Sequence, residues 1–164
     1  MADTTDEPRW LDEDEQHAWR QLISGMTRLD RELERRLLEA HDLSLDDYAI
    51  LVLLSESPGR ALRMSHVAEQ SIIARPHVTY RITRLEQRGI VERRPCEGDA
   101  RGVEAHLTDA GFTVLEAAAR DHVRSVRELV LDPISREEFL ALGATMNKVH
   151  DAVTGDACPD PRRA

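Results

Sequence analysis

RITRLEQRGIVERRPCEGDARGVEAHLTDAG, residues 81–111, changes its hydrophobic period in mid-course. With Val78 just ahead of it, Ile82 and Leu85 fall at spacings of four and three, which at about 100° per residue places all three on one helical face. Beyond Gly89 the pattern alternates. Val103, Ala105 and Leu107 are separated by Glu104 and His106, and that period of two reads as a strand. Ile90 to Arg94 forms a second extended run that can pair with it across a loop from Pro95 to Gly102. The stretch therefore predicts a helix followed directly by a two-stranded hairpin.

Upstream, Ser65 stands where an N-cap would open a helix through about Gln70, and Pro76 falls in the first turn of the helix that ends at Gly89. Two short helices in that order outline a helix-turn-helix. Ser44 with Asp47 forms a capping-box pattern, and the run from Tyr48 to Leu54 is apolar nearly all round until Ser57, Pro58 and Gly59 stop it, so this helix is expected to be buried. Earlier still, Trp19, Leu22, Met26, Leu29, Leu33 and Leu37 recur every three or four residues, the stripe of one long helix over about Asp12 to His41. Downstream, Thr108 caps a helix carrying Phe112, Leu115, Ala119, Val123, Val126 and Val130, which Pro133 ends. Ser135 and Glu138 form another capping box for a last helix whose Phe139, Leu142, Met146 and Val149 make a short seam of coiled-coil spacing.

The chain has 164 residues, 41% of them apolar, enough for one core and without a composition break that would suggest two domains. No run approaches a membrane span of roughly 18 apolar residues, and the acidic first fifteen residues lack the basic character of a signal peptide, so a cytoplasmic protein without a membrane partner is expected. Cys96 and Cys158 lie far apart with no CxxC or HxxxH spacing, which argues against a disulfide framework and a metal site. No Gly-rich phosphate loop, GxSxG or compact catalytic constellation is present, so neither an enzyme nor a cofactor is expected. The net charge is -9, yet residues 60–104 hold nine arginines against six acids, a local balance of +3 that leaves -12 for the remainder. An acidic frame thus carries a basic insert. On the helix of residues 76–88, Pro76, His77, Tyr80, Thr83, Arg84 and Gln87 project away from the apolar stripe, flanked by Arg75, Thr79 and Arg81.

The order of elements, with Glu97-Gly98-Asp99-Ala100-Arg101-Gly102 ahead of Leu107-Thr108-Asp109-Ala110-Gly111, resembles the MarR family of bacterial regulators over roughly Asp12 to Val153. That family has Asp-x-Arg at the wing tip and Leu-Thr-x-x-Gly entering the next helix. The expected fold is mainly α with a small two-stranded β wing, a winged helix-turn-helix with long N- and C-terminal dimerisation helices. The expected organisation is an acidic flexible lead-in over 1–11, a single domain over 12–153, and a disordered tail over 154–164. Within the domain, 12–43 and 108–153 supply the dimerisation helices and 44–107 the DNA-binding lobe.

The resemblance implies a homodimer that binds double-stranded DNA, as a regulator of the repressor type on a pseudo-palindromic operator, with one recognition helix of each subunit in a major groove. Arginine suits the task because its planar fork bonds guanine O6 and N7, or a phosphate, in bidentate fashion. Arg75, His77, Thr79 and Tyr80, beside Pro76, are expected nearest the bases, and Arg81, Arg84, Arg93 and Arg94 on phosphates. Arg101 at the wing tip is expected in the minor groove with Asp99 bracing its guanidinium, as Asp-x-Arg does in the family; the plainer alternative is a solvated surface pair worth about 0–1 kcal/mol. The resemblance also implies a small aromatic or phenolic effector. Trp19, Arg20 and Tyr48 offer stacking and a cation for it, although Trp19 is read first as a core or dimer anchor. A rival reading, favoured mildly by the acidic total charge, is a winged helix used only to bind other proteins.

Overall fold

The structure is a computed structural model; it describes residues 7–71, 73, 75–96 and 99–155, and only the backbone of Arg75, Ala100 and Arg101. Residues 1–6 of the expected lead-in, residues 156–164 of the expected tail with Cys158, and Glu97 and Gly98 of the wing lie outside the described residues. Two compact units divide the chain between Ala118 and Ala119, inside one helix.

The first unit opens with helix α1 (Glu13–His41), whose cap is the Asp12/Glu15 reciprocal pair, with the Glu15 amide donating to Asp12 Oδ1 at 2.8 Å. Ser44 and Asp47 make the expected capping box of α2 (Leu45–Glu56). Ile50, Leu51 and Leu54 of α2 are wholly buried, and the rest of the core gathers on them: Leu37, Leu43, Val67, Val78, Ile82, Leu85, Ile90, Val91, Ala105, Leu107, Leu115 and Ala118. A 3-10 turn at Pro58–Arg60, permitted by Gly59 at φ 64°, leads into strand β1 (Ala61–Arg63), followed by α3 (Met64–Gln70) and α4 (Arg75–Gln87). Strands β2 (Val91–Cys96) and β3 (Asp99–Leu107) complete an antiparallel sheet in the order β1-β3-β2.

The two-stranded wing is formed by β2 and β3, and a third strand joins its sheet, because Ala61, Leu62 and Arg63 pair with His106, Ala105 and Glu104 on the free edge of β3. Two local expectations are corrected. The wing strands run further than Arg94 and start before Val103, so Asp99 and Arg101 sit in β3 and not in a loop, with an irregularity between Pro95 and Cys96. Ser65 is the second residue of α3; the N-cap position belongs to Arg63, which makes no side-chain cap bond because a guanidinium has no acceptor to offer the free amides.

Helix α5 (Asp109–Val126) starts where Leu-Thr-x-x-Gly predicts, and the reason is visible. The Thr108 hydroxyl donates to the Gly89 carbonyl at 2.8 Å and accepts from the Gly111 amide at 2.9 Å, while the Thr108 amide donates to the Ile90 carbonyl at 3.1 Å. That stitch holds the start of α5 against the turn that follows α4. Gly111 is required by contact: a Cβ there would lie 2.0 Å from the Ile90 carbonyl oxygen.

The second unit comprises the remainder of α5, a π-helical turn at Arg127–Leu131, and α6 (Arg136–Thr154). The Ser135/Glu138 capping box is formed, and those bonds from Ser135 hold the Glu138 carboxyl below its ordinary range. Helix α6 runs through Thr154 and closes on Gly155 at φ 75°. Of the expected seam, Phe139 and Met146 are half-buried and Leu142 and Val149 exposed.

Replacing a helical glycine by alanine ordinarily stabilises by about 1 kcal/mol. Gly111→Ala is expected to do the reverse, lowering stability by about 1–3 kcal/mol in urea denaturation, because the methyl group meets backbone that cannot yield. A neutral or stabilising result would show that the Thr108 stitch is looser than described.

Candidate nucleic-acid interface

Helix α4 presents two unlike faces. Val78, Ile82 and Leu85 are sealed in the core, while Pro76, His77, Thr79 and Tyr80 are exposed, Tyr80 by 62%. The Tyr80 ring therefore takes no part in the core on which the rest of the helix is seated. Beside this helix, Thr79 and Thr83 meet the wing residues Arg93, Asp99, Gly102 and Val103 and the β1–α3 corner at Arg63, Met64 and Ser65, around an open cleft of about 630 Å³. Helix α4 and the wing therefore converge on one side of the first unit.

The arginines expected on phosphates divide into two groups. Arg84 carries no ion pair among the described residues, and Arg94 pairs only with its neighbour Glu92, over half its side chain being exposed. Arg81 and Arg93, expected on phosphates, instead have partners within the first unit in this structure. Arg81 Nη1 donates to Ser44 Oγ at 2.6 Å and Nη2 to Asp46 Oδ2 at 2.8 Å, with Asp47 Oδ1 at 3.6 Å. Its side chain is 22% exposed, and it is the cation facing the buried Asp47 carboxylate. Arg93 Nη1 donates to Glu86 Oε2 at 2.5 Å, and Nη2 reaches the Thr79 carbonyl and Thr83 Oγ1, bolting β2 to the helix beside it.

At the wing tip, Asp99 Oδ2 accepts from Arg63 Nη1 at 3.1 Å. The Arg101 and Arg75 side chains lie outside the described set. Gly102 leaves room for this arrangement, since a Cβ there would lie 2.9 Å from Asp99 Oδ2 and 2.6 Å from Cys96 Sγ. Cys96 itself is buried, and that burial pushes its thiol pKa up, the wrong direction for a reactive thiolate.

Arg63 is the contact that sequence reasoning missed. Its strand is three residues long, too short for a period of two to register. Of the residues considered for a ligand, Tyr48 is half-buried against the core with its hydroxyl pKa raised by burial, while Trp19 and Arg20 are exposed on α1 and Arg20 donates to Gln16. The reading of Trp19 as a core anchor is not met within one chain, where it is 54% exposed. Among the described residues no group of three or more His, Cys, Asp or Glu could hold a metal ion, and no helix is long and apolar enough to cross a membrane.

The elements together define a winged helix-turn-helix, with α3 and α4 followed by the β2–β3 wing. The family model described as "MarR family" matches residues 43–103. The transcriptional regulator PecS of Dickeya dadantii is 34% identical over 122 residues, covering 74% of this chain and 72% of PecS. Among solved structures, the MarR family regulator Sco3205 of Streptomyces coelicolor, crystallised with DNA, is 39% identical with a TM-score of 0.86, covering 92% of this chain and 94% of its own. AbsC of the same organism, also a MarR family regulator, is 35% identical with a TM-score of 0.84, covering 91% of this chain and 100% of its own. The chain belongs to the MarR family of DNA-binding transcriptional regulators.

The two kinds of side chain on α4 separate in a denaturation experiment. Arg81→Ala strips the buried Asp47 of its cation and is expected to cost about 2 kcal/mol or more, whereas Tyr80→Ala on the exposed face is expected to stay within about 0.5 kcal/mol. Equal costs in urea would contradict the assignment of Arg81 to the interior.

Proposed function

We propose that this regulator is a ligand-responsive repressor that binds a pseudo-palindromic operator as a homodimer, works in the cytoplasm where its DNA partner resides, and is not an enzyme. The observation that carries the reading is the outward face of α4, with Pro76, His77, Thr79 and Tyr80 exposed above a buried apolar stripe and the wing beside them. Arg75, His77, Thr79 and Tyr80 would meet base edges in the major groove, and Arg84 and Arg94 phosphates on either side. Arg101 would enter the minor groove, with Asp99 holding the wing tip through Arg63. Arg81 and Arg93 set the helix and wing in place.

Dimer formation is supported by apolar residues left in water. On α1, Trp19, Ile23 and Met26 lie four and three residues apart on one face, each about half exposed, and α6 leaves Leu142, Val149 and Val153 exposed. Stripes of this kind on single helices are normally covered by a second copy, and a two-fold pair would set two reading helices roughly 34–36 Å apart. A small aromatic or phenolic compound as effector completes the proposal; it could loosen DNA only by its preference for the non-binding arrangement, about 1.4 kcal/mol for each tenfold change.

Fluorescence anisotropy on duplexes from the protein's own upstream region, beside a scrambled duplex, tests this. Two arginines per subunit, Arg84 and Arg94, are assigned to phosphates, so the slope of log K against log salt is expected near about -4 for a dimer, against about -7 if Arg81 and Arg93 also held phosphates. Arg101→Ala is expected to weaken operator binding. Equal, weak binding to both duplexes, and then to genomic fragments at large, would transfer the case to a winged helix that binds other proteins.

A further inference from the structure

The reading helix ends at Gln87, and the next residue, Arg88, turns away from the DNA-facing side. Its Nη1 donates to the Asp42 carbonyl at 2.5 Å and its Nη2 to the His41 carbonyl at 3.1 Å, with the Asp42 carboxylate 3.6 Å from Nη1. These are the carbonyls of the last residue of α1 and of its C-cap, which the helix itself cannot satisfy, at the negative end of the dipole of a 29-residue helix. A guanidinium is matched to that end in charge and in geometry, since one planar fork spans two adjacent oxygens. Asp42 is held at φ 52°, a left-handed conformation uncommon outside glycine, and its own amide closes back on the Leu37 and Leu38 carbonyls. Gly89, at φ 69°, lets the chain leave α4 without displacing the side chain before it.

We propose that Arg88 is a positioning residue for DNA reading: by capping the end of α1 it fixes the direction of α4 relative to the long helix, and it touches no DNA itself. Arg81, seven residues earlier, fastens the same helix to the start of α2. Two anchors at i and i+7, on one side of α4, restrain both its tilt and its rotation about its own axis. Any displacement of the last turn of α1 is then delivered to the reading helix through two hydrogen bonds. The inference rests on α4 being the DNA reader.

The test compares Arg88→Ala, Arg88→Lys and Arg84→Ala with the parent protein, by anisotropy on operator and scrambled duplexes over a salt series, after urea denaturation confirms that each variant folds. Arg88→Ala is expected to weaken operator binding by about tenfold while leaving the scrambled duplex and the salt slope unchanged; a partly unfolded sample would instead weaken both duplexes alike. Arg84→Ala, the phosphate comparator, is expected to weaken both and flatten the slope. Arg88→Lys retains the charge but not the fork, so it is expected to keep the operator defect. A flattened slope in Arg88→Ala, or full recovery of operator affinity in Arg88→Lys, would overturn the inference and make Arg88 a phosphate contact. An absence of operator preference in the parent protein would defeat the DNA reading itself, a separate and recognisable failure.

Discussion

Val78, Ile82 and Leu85 leave water completely in the core shared with α2, α3 and the sheet, and that burial decides which way α4 faces. Each such burial is worth about 1.5–3 kcal/mol, so rotating the helix by even one position exposes more apolar surface than the fold can tolerate. With the stripe fixed, His77, Thr79 and Tyr80 have only solvent or a partner to meet. The sheet follows from the same constraint. Val91, Ala105 and Leu107 close the other side of the core, and the strands that carry them extend past it to form the wing. The outward face of α4 and the wing are two consequences of one buried layer.

Electrostatics then refines what packing has placed. A chain of net charge -9 is a poor polyanion binder as a whole, and its basic segment is less available than its composition suggests. Arg81, Arg88 and Arg93 each end on acceptors within the first unit, drawn from α2, from the end of α1, and from α4 itself. These internal arginines add directional contacts to that packing, Arg81 and Arg88 between helices and Arg93 between β2 and α4. Arg60 is a further case, its guanidinium 3.8 Å from the Phe112 ring centroid and paired with Asp109 near the start of α5. The acids that lower the net charge are in part the sockets for these side chains.

The helices were legible because their signals are local. Ser44/Asp47 and Ser135/Glu138 form the capping boxes their spacing announces, and Thr108 with Gly111 marks the start of α5 through contacts within a few residues. What failed to show depended on distance along the chain. Strand β1 is three residues long and exists only because β3 offers an open edge. Arg81 and Arg84 carry the same expectation in the sequence, yet among the described residues Arg81 meets carboxylates some 35 residues away and Arg84 meets none. Wing length was underestimated for a related reason: Pro95 reads as a strand breaker, but the irregularity between Pro95 and Cys96 absorbs it and the ladder continues.

The central claim is that two copies of α4 read base edges in successive major grooves. Methylation interference tests it most directly, because a methyl group on guanine N7 blocks the major-groove edge without altering phosphate charge. On a fragment selected for tight binding, the account predicts two clusters of interfering guanines about 10 base pairs apart and related by two-fold symmetry. Binding that persists undiminished when every N7 is methylated, or a single unpaired cluster, would contradict it.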